Sequence, residues 1–272
     1  MKLGIIGSGV VGGANKTGFE QLGHNVIVHD TKFDTSIDIV SNTECTFICV
    51  PTPSKPNGDC NTDIVESVIQ ELDSIDYKGI IAIRSSTVPG FTQSMIDTYT
   101  NRQICFVPEF VRERCAEHDF INEHEMLAVG TKDNYVYETV VKAHGHYPKH
   151  TVQLNPSEAE ILKYYLNLYA ATRVTFANVF YEICQKLDSD YTRVKDAYIL
   201  TGRAGDMYLD VSKELRGYGG MCLPKDTRAI INLIEKLELD LDFFTTINSD
   251  NNKFKTTVFN GMRSEEETDA TT

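Results

Sequence analysis

The chain has 272 residues, of which 41% are hydrophobic and 24% are charged, a composition typical of a soluble globular protein with one large or two modest domains. A formal net charge of −13 at pH 7 argues against a general binder of nucleic acids or of anionic membranes. The cysteines form no CxxC pair, the first residues do not resemble a signal peptide, and no apolar run is long enough to span a bilayer. These features favour a reduced, cytoplasmic protein without structural disulfides.

Short apolar runs in the first half of the chain predict buried β-strands, namely KLGIIG, NVIVHD, CTFICVP, GIIAIRSS and QICFVPEF. Helical patterns separate these runs, which is typical of βαβ units and of a parallel sheet covered on both faces. TVQLNPSEAEI predicts a last strand that runs into a helix, with Asn155 or Ser157 as its cap and Pro156 in its first turn. We therefore expect an α/β fold with a Rossmann-type, doubly wound parallel sheet over residues 1–155.

The second half of the chain has a helical pattern. AEILKYYLNLYAATRVTFANVFYEICQKL contains no Gly or Pro, and TRVKDAYILTG and DTRAIINLIEKLEL follow it. We expect an all-helical domain over residues 156–262. The acidic, polar residues 263–272 predict a disordered tail.

A glycine-rich motif, GSGVVG at 7–12, follows the first predicted strand and opens a helical pattern. In this context glycines allow a tight turn, close approach of a pyrophosphate and close packing of helix on strand, and the helix N-terminus faces the phosphates. The predicted cofactor contacts in the motif are Gly7, Gly9, Val10, Val11 and Gly12.

Asp30, at the end of NVIVHD, strengthens this interpretation. Its carboxylate can accept hydrogen bonds from the adenosine ribose hydroxyls and would repel a 2′-phosphate, so NAD is favoured over NADP. Lys32 is a second candidate contact, and the alternative is an ordinary solvated charge.

The loop GYGGMCLPKD, residues 217–226, holds Cys222 among three glycines, with Lys225 and Asp226 just beyond it. Glycines let a ligand approach the main chain closely, and a nearby cation or positively polarised backbone favours the reactive thiolate. The alternative is a small buried cysteine beside a helix cap.

Two further patterns contain side chains of types that occur in catalytic or metal sites. Lys163 and Asn167 are spaced i, i+4, which places them on one helical face, although ordinary helices contain such pairs as well. AHGHYPKH brings His144, His146 and His150 close in sequence but offers no cysteine or acidic partner, so we predict no metal.

Taken together, six separated motifs resemble the UDP-glucose/GDP-mannose dehydrogenase family, in the right order and over roughly residues 1 to 255. The motifs are GSGVVG, CVPTP at 49–53, SSTVPG at 85–90, PEFVRE at 108–113, EAEILKYYLNLYAATRVTFAN at 158–178 and GYGGMCLPKD. The resemblance implies a two-step, NAD-dependent oxidation of a nucleotide-sugar alcohol to the acid, with UDP-glucose to UDP-glucuronate the expected reaction. It also implies a homodimer built on the helix from about Glu158 to Lys186, where Leu162, Leu166, Tyr169, Val174, Phe176 and Phe180 are apolar.

The resemblance also implies catalytic roles. Cys222 would attack the aldehyde left by the first oxidation, and the thiohemiacetal would then become a thioester. Glu109 would activate the water that hydrolyses this thioester. Lys163 and Asn167 would polarise the reacting oxygen and order a water, while Asp226 would handle protons.

The remaining family matches concern binding, and Thr87 is in addition an expected catalytic residue. Thr87 would help to bind the water beside the cofactor, and its alternative is a plain strand-end cap. The turn Pro51, Thr52 and Pro53 would lie beside the dinucleotide, and Lys225 would serve either the loop or the substrate phosphates. The predicted substrate contacts are Glu109, Phe110, Val111, Arg112, Lys163, Asn167, Tyr218, Gly219 and Lys225.

The sequence departs from the family pattern in three places. The resemblance implies a C-terminal domain that closes over the nucleotide; we expect this chain to lack that domain, with a separate chain as a candidate source. The position of a cross-dimer arginine is Asp206, with Arg203 and Arg216 as candidate replacements. HEMLAVG lacks the basic residue often found ahead of that strand.

Two other functions stay open at this point. One is a two-domain β-hydroxyacid or 6-phosphogluconate-type dehydrogenase, which needs no catalytic cysteine. The other is a non-catalytic NAD-binding or dimerisation module.

Overall fold

The computed structural model describes residues 1–254, and the chain divides into two compact units. The first unit comprises Met1–Lys55 and Cys60–Lys163, and the second comprises Pro56–Asp59 and the chain from Tyr164 onward. The predicted tail at 263–272, and residues 255–262 of the predicted helical domain, lie outside the described residues.

The first unit contains a seven-stranded sheet in the order β2-β1-β3-β4-β5-β6-β7. Its strands are β1 Lys2–Ile6, β2 Asn25–His29, β3 Cys45–Ile48, β4 Ile80–Ile83, β5 Gln103–Phe106, β6 Met126–Gly130 and β7 His150–Leu154. The first five strands pair with one another in parallel, so the predicted α/β class and the doubly wound sheet are confirmed. One detail differs, because β6 runs antiparallel to β5 and β7 runs parallel to β6.

Both faces of this sheet are covered by apolar side chains. Along β1, Leu3 and Ile5 belong to one hydrophobic cluster and Ile6 belongs to another. This burial on two sides explains why the strands read as continuous hydrophobic runs. The helices of this unit are α1 Val10–Gln21, α2 Asp63–Ser74, α3 Phe91–Thr98, α4 Ala116–Asn122 and α5 Asn134–His144.

The long predicted helix is α6, Pro156–Lys186, which begins in the first unit and continues into the second. Asn155 lies directly before it, and its N–H donates to the Glu158 carboxylate at 2.8 Å, as in a capping box. The second unit continues with α7 Tyr191–Ile199, α8 Leu223–Lys236 and α9 Phe243–Asn251, of which α9 is not predicted from the sequence. Its core is the cluster Ala177, Tyr181, Cys184, Tyr191, Leu209 and Val211.

Candidate functional site

The carboxyl edge of the sheet has a topological switch point between β1 and β3. The chain leaves β1 toward β2 on one side and then pairs β3 with the other side of β1. Ligands of open α/β sheets bind in the crevice at such a point. The glycine motif at 7–12 and the CVPTP segment at 49–53 both lie at this edge.

The turn in the glycine motif leaves no room for a side chain at two of its glycine positions. Gly7 has φ +96°, and a Cβ there would lie 2.5 Å from the carbonyl oxygen of Cys49. A Cβ at Gly12 would lie 1.9 Å from the carbonyl oxygen of Gly7. Any side chain at these two positions would therefore push α1 away from the strands.

Asp30 connects β2 to this loop. Its carboxylate accepts hydrogen bonds from the Ser8 backbone N–H at 2.7 Å, the Ser8 hydroxyl at 2.8 Å and the Lys32 N–H at 3.0 Å. Burial raises the pKa of Asp30, but these hydrogen bonds outweigh burial and hold the pKa below its usual range. The residue is thus an ionised acceptor beside the glycine loop.

These groups fit a dinucleotide. Gly9 precedes α1 and has no side chain to cap the first turn, so the helix N–H groups suit a pyrophosphate. The Asp30 carboxylate suits ribose hydroxyls. Of the other predicted contacts, Val10, Val11 and Thr52 are half-buried, whereas Lys32 and Pro51 are exposed.

Thr87, in the loop after β4, is buried and donates its hydroxyl proton to Glu160 at 3.0 Å. Glu160 also accepts from the N–H of Gly90 at 2.6 Å and from the N–H and hydroxyl of Thr92 at 2.8 and 2.7 Å. Since Gly90 is the residue before α3, Glu160 caps that helix from α6. One carboxylate thus joins α3, α6 and the Thr87 loop, and the role of Thr87 toward a water stays a prediction.

Glu109 follows β5 and is 8% exposed. It forms an ion pair with Arg84 through Oε2, and its Oε1 accepts from the Phe110 N–H at 2.9 Å. Burial raises the pKa of Glu109, but the Arg84 guanidinium, with smaller contributions from His124 and the Phe110 N–H, outweighs burial and holds the pKa below its usual range. The buried side chain is therefore a carboxylate.

Lys163, on α6, lies beside Glu109. Its Nζ donates to the Glu109 backbone carbonyl at 2.5 Å and lies 5.7 Å from the centre of the Phe110 ring. The structure thus brings together a lysine and a glutamate that the sequence separates by 54 positions. Phe110 and Val111 are half-buried.

Arg112, another predicted substrate contact, is exposed and pairs with Asp119. The Arg112 guanidinium lies 2.7 Å from Asp119 Oδ1 and, as the largest cause, lowers the pKa of Asp119 to about 2. This pair holds the PEFVRE segment against α4, which contains Asp119.

Cys222 occupies the N-cap position of α8 and is exposed. The alternative of a buried structural cysteine is therefore wrong, although the cysteine does lie at a helix start. The positive end of a helix favours a thiolate, so the position suits a nucleophile.

Asp226 lies one turn into α8 and is 1% exposed. It accepts from the Asn167 amide at 2.6 Å and from the Lys225 ammonium at 2.6 Å. Its own N–H donates to the Cys222 carbonyl at 2.9 Å. The second unit thus brings Asn167, Lys225 and Asp226 into one hydrogen-bonded group next to the helix start that carries Cys222.

The backbone of the cysteine loop is held by α9. Asn251 accepts from the Tyr218 N–H at 2.8 Å and donates to the Tyr218 carbonyl at 3.0 Å. Tyr218 and Lys225 are buried, and Gly219 is half-buried. Their roles as substrate contacts stay predictions.

Arg216 and Arg203, the candidate replacements for the cross-dimer arginine, differ in their contacts and exposure. Arg216 donates to Asn178 at 2.8 Å and lies 4.9 Å from the Tyr181 ring and 5.1 Å from the Phe254 ring. Its guanidinium is therefore fixed within its own chain. Arg203 is exposed.

Sequence reasoning missed three polar side chains that contact these residues: Arg84, which pairs with Glu109, Asn15, whose amide donates to Glu109 at 3.4 Å, and Glu160, which binds Thr87. Arg84 ends an apolar strand, and Glu160 opens a helix. A charged residue at the end of a buried strand is a usable signal, but its partners come from distant segments and cannot be read from the spacing.

The predicted absence of a metal concerned the histidine segment. His144 is buried among Phe19, Phe47 and Phe120, and its ring is an aromatic core residue. Within residues 1–254 no group of three His, Cys, Asp or Glu side chains is arranged to hold a metal ion. Over the same residues, every helix is too short or too polar to cross a membrane.

Comparison with known proteins gives two family matches. Residues 30–147 match the NAD binding domain of the UDP-glucose/GDP-mannose dehydrogenase family, and residues 157–253 match its central domain. The UDP-glucose 6-dehydrogenase AglM of Haloferax volcanii is 28% identical, over 85% of this chain and 65% of the relative. The GDP-mannose 6-dehydrogenase of Pseudomonas syringae is 25% identical, over 91% of this chain and 67% of the relative. This chain thus spans about two-thirds of the length of these relatives.

Solved structures agree on the fold. A UDP-glucose dehydrogenase from Pyrobaculum islandicum superposes with a TM-score of 0.85 at 24% identity, over 93% of this chain and 68% of that chain. The 3-hydroxyisobutyrate dehydrogenase of Mycobacterium tuberculosis superposes with a TM-score of 0.75 at 12% identity, over 93% and 92% of the two chains. Two enzymes with different named activities therefore have the fold of this chain, so the structural similarity identifies the fold but not the reaction.

Proposed function

Because this chain belongs to the UDP-glucose/GDP-mannose dehydrogenase family and its cofactor is NAD, we propose that it oxidises the 6-alcohol of a nucleotide sugar to the acid. The expected reaction is UDP-glucose to UDP-glucuronate. One observation carries the proposal: α6 bears Lys163 and Asn167 one turn apart, with Lys163 bonded to Glu109 and Asn167 bonded to Asp226. NAD, when bound, accepts a hydride in each of the two oxidations.

The first oxidation requires the alcohol proton to leave while charge develops on the sugar oxygen. In this proposal Lys163 and Asn167 hold that oxygen, since fixed donors stabilise a developing oxyanion. Asp226, bonded to Asn167, receives the proton through an ordered water. The product of this step is an aldehyde.

The second oxidation uses Cys222. Its thiolate adds to the aldehyde carbon to form a thiohemiacetal, and loss of a hydride from that carbon leaves a thioester. Glu109 then activates a water that hydrolyses the thioester and releases the acid. The exposed position of Cys222 at the start of α8 supports this role.

Counting NADH per sugar tests the proposed function. Purified protein is incubated with NAD and either UDP-glucose or GDP-mannose, and acid and NADH are quantified. Two NADH per acid are expected. One NADH per molecule with a β-hydroxyacid would indicate the alternative dehydrogenase, and no NADH with any of these would indicate a binding module.

Asp30→Ala is expected to weaken NAD binding roughly ten- to a hundredfold, since a hydrogen bond to a charged group contributes about 1.5–3 kcal/mol. NADP binding is expected to change less, because the lost carboxylate would have repelled its 2′-phosphate. Fluorescence titration with both cofactors measures the two effects. Asp34→Ala removes an exposed carboxylate nearby and serves as the control for net charge, and equal losses for NAD and NADP would contradict the ribose assignment.

We also propose a homodimer built on α6. Large apolar side chains on this helix are exposed at helical spacing, and they are Ile161, Tyr165, Leu166, Tyr169, Phe176, Val179, Phe180 and Ile183. Phe176 is 55% exposed and contacts Phe180 at 4.7 Å between ring centres, with the two rings tilted by 43°. Of the residues predicted for this face, Leu162 and Val174 are half-buried. A contiguous apolar face of this kind marks an interface, and a second copy presents the same face.

Phe176→Glu is expected to convert the dimer into a monomer, because two like charges would be buried at a self-complementary interface. Light scattering at micromolar concentration should give twice the 30.6 kDa chain mass for the wild type and the single mass for the variant. Leu237→Glu changes another exposed apolar residue outside α6 and should remain dimeric. A wild-type monomer under these conditions would rule out the dimer.

A further inference from the structure

Arg84 is a buried charge that the scheme above does not use. It directly follows β4 and is 3% exposed. Its guanidinium carbon lies 5.9 Å from the centre of the Phe47 ring and 5.6 Å from that of Phe120. An uncompensated cation in such surroundings is strongly unfavourable, so the role of Arg84 follows from the groups that pair with its guanidinium.

Two partners hold the guanidinium in place. One nitrogen pairs with Glu109 Oε2, and another lies 3.1 Å from His144 Nε2. His144 Nδ1 lies 2.8 Å from the Val140 carbonyl oxygen, which only accepts. Nδ1 is therefore the donor and Nε2 the acceptor, and the ring is neutral. Burial agrees with this assignment, because it lowers the pKa of His144.

The two carboxylate oxygens of Glu109 have different surroundings. Oε2 receives Arg84 and, at 3.4 Å, the Asn15 amide. Among the described residues Oε1 receives one bond, from the Phe110 N–H. A carboxylate oxygen can accept about two hydrogen bonds, so Oε1 retains the capacity to accept a proton from water.

We propose that Arg84 is a positioning residue that fixes the Glu109 carboxylate, with Oε2 held and Oε1 presented as the proton acceptor. This inference rests on the proposed function, in which Glu109 activates the hydrolytic water. In that step a water oxygen attacks the thioester carbon while its proton passes to Oε1. The carbon–sulfur bond breaks, and Cys222 leaves as a thiolate, so no oxidant or reductant is needed.

Several groups from other elements face Glu109 and bear on its charge. Besides Arg84, they are His124 after α4, Lys163 on α6 and the Cys49 thiol after β3. The pKa of His124 is lowered by its own burial, so near neutral pH it does not replace the Arg84 cation. Without Arg84, burial would dominate and the pKa of Glu109 would rise.

The first test needs no substrate. Glutamate carboxyl groups are labelled with ¹³C, and the Glu109 signal, assigned with Glu109→Gln, is titrated by NMR. In the wild type it should titrate below the usual range of a glutamate, and in Arg84→Met above it. Titration of Glu109 in the wild-type range in Arg84→Met would overturn the proposal.

The second test follows one turnover with UDP-glucose and NAD, with rapid quenching and intact-mass analysis of Cys222. Arg84→Met should form the thioester at a near-normal rate and hydrolyse it roughly a hundredfold more slowly at pH 7. Wild-type hydrolysis, or an equal loss in oxidation and hydrolysis, would overturn the positioning role. Should the wild type oxidise neither UDP-glucose nor GDP-mannose, the proposed function fails, and the NMR titration still decides whether Arg84 controls Glu109.

Two further variants keep both tests decisive. Arg102→Met removes another largely buried arginine, which pairs with Asp73 and Asp76, and it should leave the Glu109 titration and the hydrolysis rate unchanged. Arg84→Lys retains the charge but cannot reach Glu109 and His144 together. It should hydrolyse the thioester roughly tenfold more slowly than the wild type. If Arg84→Met does not fold, Arg84→Lys serves as the test instead, and hydrolysis by Arg84→Lys at the wild-type rate would then overturn the proposal.

Discussion

Cys222→Ser is expected to leave NAD binding unchanged and to reduce acid formation by roughly 10³-fold or more, because removal of a covalent nucleophile abolishes the step that depends on it. A serine hydroxyl is far less nucleophilic than a thiolate at neutral pH. The substitution should cost little stability, since Cys222 is exposed at the N-cap of α8 and serine is a favoured N-cap residue. NADH and acid are measured with UDP-glucose, and NAD binding is measured by titration.

Cys115→Ser is the matched control, because Cys115 is another cysteine that is not fully buried. It should retain two NADH per acid at a normal rate. Two NADH per acid at the wild-type rate in Cys222→Ser would show that the covalent mechanism is wrong for this protein.

Glu109→Gln is expected to fail at a later step than Cys222→Ser. The thioester should form and persist, and steady-state turnover should fall by roughly 10²- to 10⁴-fold, the usual contribution of a general base. Intact-mass spectrometry after incubation with UDP-glucose and NAD should therefore detect an acyl adduct on Cys222. Glu117→Gln changes an exposed glutamate of the next helix and should show neither the adduct nor the loss of turnover.

The same variant should be less stable than the wild type. It leaves the buried Arg84 cation without its carboxylate, and breaking a buried ion pair costs about 3–5 kcal/mol. The pKa of Glu109 is lowered in the folded protein, so this stabilisation is present above the unfolded-state pKa and is lost as pH falls through the lower, folded-state value. Urea unfolding at neutral and acidic pH should show the difference between the proteins at neutral pH and its decrease in acid. A difference that stays constant with pH would contradict the assignment of a buried, ionised Glu109.

Much of the fold follows from local patterns in the sequence. The strands β1 to β5 were recognisable because burial on both faces demands continuous apolar runs, and α6 was recognisable because it contains no Gly or Pro over a long helical pattern. Helix α9 was not predicted. The strand in HEMLAVG was recognised, but its antiparallel pairing, as β6, with β5 depends on how a connection is routed, which no local pattern records.

For the candidate site, the sequence by itself determined which residue types stand at the ends of strands and helices. The glycine motif could be located because only glycine tolerates the φ of Gly7 and the close packing at Gly12. Lys163 and Asn167 could be placed on one helical face because the period of an α-helix is local.

Only the tertiary structure decided which charges meet. The pairing of Arg84 with Glu109, the neutral His144 behind it and the four donors around Glu160 all join segments far apart in sequence. The physical reason is that a buried charge is stable only with a partner. The sequence shows that a charged residue follows a buried strand, but it does not show which distant residue pairs with it. Topology brings the ends of β4 and β5 together, and that proximity makes Glu109 a held carboxylate.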